Sequence, residues 1–150
     1  MKKLVVLATL FMFFCLGEQT VQAQDYDASL GIRLGGGTGI TYKSHLSGNM
    51  AFEGLLYMNP FNYGGLLGVG LAEWHFPLGR SDWNWFAGAG GHVALLGSTG
   101  FGIGVDGIIG LEYTFRDLPV TFQFDYKPAI NLTNEWNDYS NVALSIRYVF

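Results

Sequence analysis

The sequence predicts an all-β chain of eight antiparallel strands, and three observations carry that reading. Apolar residues recur at every second position through a series of short runs. Gly, Pro, Asn and Asp punctuate those runs as turn signals. The composition combines 22 glycines and 16% aromatic residues with only 13% charged residues, about half the charge of an ordinary soluble domain.

The first 23 residues stand apart from this pattern. Lys2 and Lys3 precede an apolar run from Leu4 to Leu16, and a polar stretch then ends in "VQA" before Gln24. That is the layout of a secretory signal peptide, so Met1–Ala23 is expected to be removed. The run is too short to cross a bilayer of about 30 Å as a helix. Cys15, the only cysteine, lies inside it and lacks a lipoprotein acceptor context. The mature chain therefore has neither disulfides nor thiolate chemistry. A net charge of −4 gives no basis for nucleic-acid binding.

Residues 24–150 read as one domain. The first run, about 26–35, sets Leu30, Ile32 and Leu34 against Ser29, Gly31 and Arg33, and "GGT" ends it. The next two, about 38–45 and 50–58, carry Lys43 and Glu53 and are joined by "LSGN". After "NPFNYG" comes 65–76, then "PLGRSD", then 83–95 with His92, then "GSTG". In 101–115, Ile103, Val105, Ile109, Leu111, Tyr113 and Phe115 oppose Gly104, Asp106, Gly110, Glu112 and Thr114, with Ile108 out of phase. Beyond "RDLP", the run 119–130 alternates Val120, Phe122, Phe124 and Tyr126 with Thr121, Gln123, Asp125 and Lys127. "LTNEWND" leads to the final run, 141–150, where Val142, Leu144, Ile146, Tyr148 and Phe150 share a face and Arg147 lies on the other.

Two closed architectures fit such alternation, and they aim the apolar face in opposite directions. A soluble lipocalin-like barrel, which binds ligand, turns it inward. A transmembrane barrel turns it toward lipid. A water-facing surface needs about 25–35% charged residues, whereas each polar face here offers one or two charges among Gly, Ala, Ser and Thr. Such faces suit a narrow interior, so the expectation is a closed eight-stranded transmembrane β-barrel. Tyr and Trp near the run ends agree with interfacial girdles. They include Tyr26, Tyr57, Tyr63, Trp74, Trp83, Trp85, Tyr113, Tyr126 and Tyr148.

The inward charges are then Arg33, Lys43, Glu53, Asp106, Glu112, Asp125, Lys127 and Arg147, together with His92. Charges in so narrow a space must pair. A turn centred on residue 99 would set His92 opposite Asp106, and one centred near 136 would set Asp125 opposite Arg147. Arg33 would join that pair through barrel closure. A structural ion-pair plug fits this set better than a catalytic or proton-relay centre, which needs a nucleophile beside an oriented base and an open site.

Other motifs point nowhere strong. "GIGVDG" (102–107) satisfies G-x-G-x-x-G, but the alternation continues through it where a dinucleotide site needs a helix. "NLT" (131–133) matches a sequon without consequence. A lipid-modifying enzyme would need a Ser–His pair near a membrane boundary. His45, His75 and His92 with Ser44 and Ser47 assemble no such set, and His75 reads as an interfacial residue. No catalytic, cofactor or metal site is expected.

The segments "AFEGLLY" (51–57), "LAEWHFPLG" (71–79), "WFAGAGGHV" (85–93), "GIGVDGIIGLEYTFRDLPVTFQFDYKPAINL" (102–132) and "ALSIRYVF" (143–150) resemble small outer-membrane β-barrel proteins of the OmpA/OmpX-like, porin-family group. The resemblance implies a monomeric barrel in the outer membrane of a Gram-negative bacterium, with both mature termini periplasmic. Lipid and lipopolysaccharide would surround it. Tyr148 and Phe150 would form the C-terminal signal read by the outer-membrane assembly machinery. Members of the group serve as anchors, adhesins, assembly factors or enzymes, so the resemblance fixes no activity. A structural or surface-interaction role with a plugged lumen is the expectation.

Overall fold

The walls of the barrel pair antiparallel in a ring, and the final strand, Val142–Val149, pairs with the first, Ala28–Leu34. This architecture is seen in a computed structural model that describes residues 26–58, 60, 64–97, 100–133 and 137–150. The expected signal peptide and Tyr63 lie outside the described residues.

The strands are β1 (Ala28–Leu34), β2 (Thr38–Ser47), β3 (Met50–Met58), β4 (Gly65–Pro77), β5 (Trp83–Leu96), β6 (Gly100–Thr114), β7 (Val120–Tyr126), β8 (Ala129–Asn131), β9 (Asn137–Asp138) and β10 (Val142–Val149). The sheet runs β5-β4-β3-β2-β1-β10-β7-β6, and β5 pairs with β6 to close the ring. β8 continues β7 along β6 in the same register, Ile109↔Tyr126 leading to Asp106↔Ala129. The interruption falls at Pro128, which has no N–H to give the ladder. Eight walls thus form a closed antiparallel barrel, as the periodicity predicts. Pairing of β5 with β6 closes the ring and so removes the open edge that is the usual liability of an all-β chain.

Alternation sorts the side chains in two directions. Leu30, Ile32 and Leu34 are about half exposed on the outside, whereas Ser29 and Arg33 between them are wholly buried. The same holds for Phe122 and Phe124 against Thr121, Gln123 and Asp125, and for Leu144 and Ile146 against Ser145 and Arg147. Ile108, out of phase in sequence, turns inward and is buried.

Where the sequence placed residues by hairpin symmetry, two registers differ. His92 pairs with Gly104 and not Asp106, and Asp125 pairs with Ala143 and not Arg147, which lies opposite Thr121. Moving a turn's centre by one residue shifts every partner by two. That preserves the face of each side chain while changing its neighbour.

The barrel interior has two characters. One wall, from β3 to β6, contributes an apolar cluster that includes Leu55, Leu67, Val69, Leu71, Phe86 and Ile108. The other, from β7 through β10 and β1 to β2, carries Gln123, Asp125, Arg147, Arg33, Thr41 and Lys43. Glycines make room for the larger members. A Cβ on Gly110 would meet the Phe86 ring and the Asp125 side chain at 2.7 Å.

Candidate functional site: an ionic lumen

Charge placement is one-sided. Each Asp, Glu, Lys and Arg on β1–β7 and β10 is buried: Arg33, Lys43, Glu53, Glu73, Asp106, Glu112, Asp125 and Arg147. Lys127, just past β7, is buried as well. Alternation puts them inside, and burial then requires partners, because an unpaired charge in such a space is costly.

The largest group lies toward the end of the barrel that carries the termini. Lys43 Nζ is 2.7 Å from Glu73 Oε2, 3.3 Å from Glu112 Oε2 and 3.7 Å from Glu53 Oε2. It also sits 4.4 Å from the centre of the Phe86 ring, close enough for a cation–π contact. Arg147 pairs with Glu53, donates to Glu112 Oε2 at 3.1 Å, and donates through Nε to Thr41 at 3.0 Å. Tyr26 donates its hydroxyl to Glu112 at 2.9 Å.

Gln123 ties this group to the next. Its oxygen accepts from Lys43 at 2.6 Å and Arg147 at 2.7 Å, while its nitrogen donates to Asp125 at 2.9 Å and Glu53 at 3.4 Å. Asp125 in turn holds Arg33 through both carboxylate oxygens, and Arg33 Nε donates to Tyr57 at 2.5 Å. A two-pronged guanidinium–carboxylate pair is strong and strictly oriented.

Toward the opposite end, a smaller group joins Lys127 Nζ to Asp106 Oδ1 and His92 Nδ1 to Asp106 Oδ2, both at 2.6 Å. His92 reaches Asp106 diagonally, with its ring lying over Gly104, where a Cβ would overlap it.

The expected Asp125–Arg147 pair is therefore replaced. Asp125 takes Arg33, Arg147 takes Glu53 and Glu112, and Lys127 goes to Asp106. The register of β7 against β10 is the reason, since it carries Arg147 four residues along from Asp125.

Several participants escaped the sequence reading. His75 is not interfacial; it is wholly buried, with Nε2 3.1 Å from Glu73 Oε2. Tyr26 and Tyr57 belong to the lumen and not to a girdle, because each hydroxyl has an ionic partner inside. The misleading signal in β4 is that its inward face holds Leu67, Val69 and Leu71, while its outward face holds Gly68, Gly70 and Ala72. A rule of large-outside, small-inside fails there. Gln123, uncharged, gave no electrostatic signal at all.

Outside, Trp74, Trp83, Trp85 and Tyr113 gather at the termini end. Trp83 lies 5.0 Å from Tyr113, and Trp85 stacks on Phe76 at 4.6 Å. Tyr126 sits toward the other end and donates to the Tyr139 carbonyl at 2.7 Å. Tyr148 and Phe150 are well exposed, and the Phe150 N–H donates to the Ala28 carbonyl at 2.9 Å.

An apolar exterior around an ionic interior in a closed eight-stranded ring defines the class: a small barrel built inside out relative to a water-soluble one. Comparison with known proteins agrees at the level of fold. No family model and no curated protein matches the chain. Among solved structures it is similar to the N-terminal β-barrel domain of OprF from Pseudomonas aeruginosa, at 16% identity and a TM-score of 0.59, over 82% of this chain and 95% of that one. It is also matched to Neisserial surface protein A, at 15% identity and a TM-score of 0.47, over 83% and 94% of the two chains.

Proposed function

We propose that this chain is an integral outer-membrane β-barrel protein whose role is structural or a surface interaction, with a lumen plugged by its own side chains. The observation that carries the reading is the burial of every charge on the eight walls while Leu, Ile and Phe cover the outside. In water that arrangement would expose a continuous apolar belt, and in a bilayer the belt is the solvated surface. The fold shared with the OprF barrel domain supports the same location.

The leading segment is the export signal, both termini face the periplasm, and Tyr148 with Phe150 engages the assembly machinery. Surrounding lipid and lipopolysaccharide are the partners of the outer face. A closed ring needs no second copy to cover an edge, so the barrel is a monomer.

The lumen supports a plug and not a channel. Eight strands enclose a space just wide enough for side chains, and Arg33, Lys43 and Arg147 span it between carboxylates on other walls. A lipid-modifying reaction would need a base at the lipid face, whereas His45, His75 and His92 all point inward.

Fractionation and planar-bilayer recording test the proposal together. The chain is expected in the outer-membrane fraction, extracted only by detergent, and without stable single-channel currents. Recovery from the soluble periplasm would overturn the location, large currents would overturn the plug, and altered lipid A in a deletion strain would favour an enzyme.

A further inference from the structure

We propose that His45, His75 and Glu112 form a binding site for a divalent transition-metal ion inside the termini end of the barrel. The three residues come from β2, β4 and β6, and each offers one ligand atom within 4.8 Å of the others. All three are buried.

Three observations point to a cation. First, the histidine nitrogens are idle: both of His45 and Nδ1 of His75 are buried without a hydrogen-bond partner. Imidazole nitrogens enclosed in this way are unusual, because buried polar atoms are nearly always partnered.

Second, His75 is held as a ligand would be. Its Nε2 lies 3.1 Å from Glu73 Oε2, which leaves Nδ1 aimed toward Glu112 Oε1, 3.9 Å away. A carboxylate on the far nitrogen of a ligating histidine fixes its ring and raises its basicity. The His45 ring sits 5.1 Å from that of His75, and Tyr26 packs edge-on against it at 4.6 Å.

Third, the interior is short of positive charge. Among the described residues, the buried carboxylates are Glu53, Glu73, Asp106, Glu112 and Asp125, and the buried cations are Arg33, Lys43, Lys127 and Arg147. Asp125 matches Arg33 and Asp106 matches Lys127, so the surplus carboxylate belongs to Glu53, Glu73 and Glu112, which share only Lys43 and Arg147. That surplus lies beside the idle imidazoles.

Two imidazoles and one carboxylate form a borderline donor set suited to Zn²⁺, Co²⁺, Ni²⁺ or Cu²⁺, and unsuited to the all-oxygen ions Mg²⁺ and Ca²⁺. Metal–ligand bonds of about 2.0–2.2 Å require the three atoms to close in by roughly 1 Å, a side-chain movement. The Tyr26 hydroxyl or a water completes four-coordination. Bound there, the ion would clip three walls of the ring together.

Calorimetry of the detergent-purified barrel with Zn²⁺ alone tests the site. One equivalent is expected to bind. His45→Ala and His75→Ala each abolish that binding, Glu73→Gln weakens it about 10–100-fold, and His92→Ala, in the other charge group, leaves it unchanged. Heat-modifiable gel mobility identifies variants that still fold. Should neither histidine variant fold, Co²⁺ added to the wild type decides, by the visible absorption of a tetrahedral nitrogen–oxygen site. No Zn²⁺ or Co²⁺ binding by folded wild type overturns the proposal. So does binding that survives the loss of both histidines, or a surplus neutralised by a proton on His75 or shared between Glu53 and Glu73.

Discussion

Asp125 on β7 grips Arg33 on β1 across the intervening strand β10, its two oxygens meeting the two terminal nitrogens of one guanidinium. The pair straddles the seam where the ring closes. Removing Asp125 takes both carboxylate bonds from a wholly buried Arg33 and leaves its hydrogen bond to Tyr57. Asp125→Ala is therefore expected to cost about 3–5 kcal/mol, less where water enters, and to lower the heat-modification temperature on gels. Asp117→Ala, which removes an exposed turn carboxylate, should leave it near wild type. Indistinguishable gel shifts would contradict the pairing.

A bilayer around the outer face would separate, by depth, two residues of equal exposure. Phe124 is 56% exposed on β7, and Leu118 is 57% exposed in the turn before it. Phe124→Arg should impair assembly by about 2–4 kcal/mol at the midplane, and Leu118→Arg by about 0–1 kcal/mol near the interface. Refolding titrations into lipid vesicles measure both. A barrel whose outer face met water would tolerate the two alike.

The smaller charge group is open to a double-mutant cycle. Asp106 holds both Lys127 and His92, so Asp106→Ala should cost more than Lys127→Ala. Their non-additivity is expected at about 0.5–3 kcal/mol. Strict additivity would mean that the 2.6 Å contact contributes nothing.

Space, too, can be tested one methyl at a time. Gly104 faces the lumen under the His92 ring, and a Cβ there would overlap both that ring and the Ile130 carbonyl. A Cβ on Gly107 would meet only Pro128, at 3.7 Å. Gly104→Ala is expected to destabilise by about 1–3 kcal/mol, and Gly107→Ala to be close to neutral. Thermal unfolding in detergent would reveal the contrast.

How much of this was legible depended on what kind of fact was sought. The direction of Arg33, Asp125 or Arg147 follows from parity alone, and parity survives errors in turn position. Contact does not. A one-residue shift of the turn centre after β5 moves His92 from Asp106 to Gly104, and a two-residue shift after β7 moves Asp125 from Arg147 to Ala143. Length rescued one expectation: the His92 ring still reaches Asp106 on the diagonal. Glu73 and His75 were illegible for another reason, since β4 inverts the size rule where Leu67, Val69 and Leu71 join the buried apolar cluster. His45 and His75, thirty residues apart, become neighbours only when β2 and β4 curve toward one lumen.

The seam also imposes a timetable. Every other pairing around the eight walls joins strands adjacent in sequence, so each can zip as soon as its second strand is delivered. The pairing of Ser29 with Val149 joins positions 120 apart and must wait until β10 is delivered. Until then the growing sheet has two raw edges and an apolar outside, a form that invites stray strand pairing. Closure is thus the natural last step of assembly. A factor that shelters the β1 edge while the final strand arrives would govern how fast the finished ring appears.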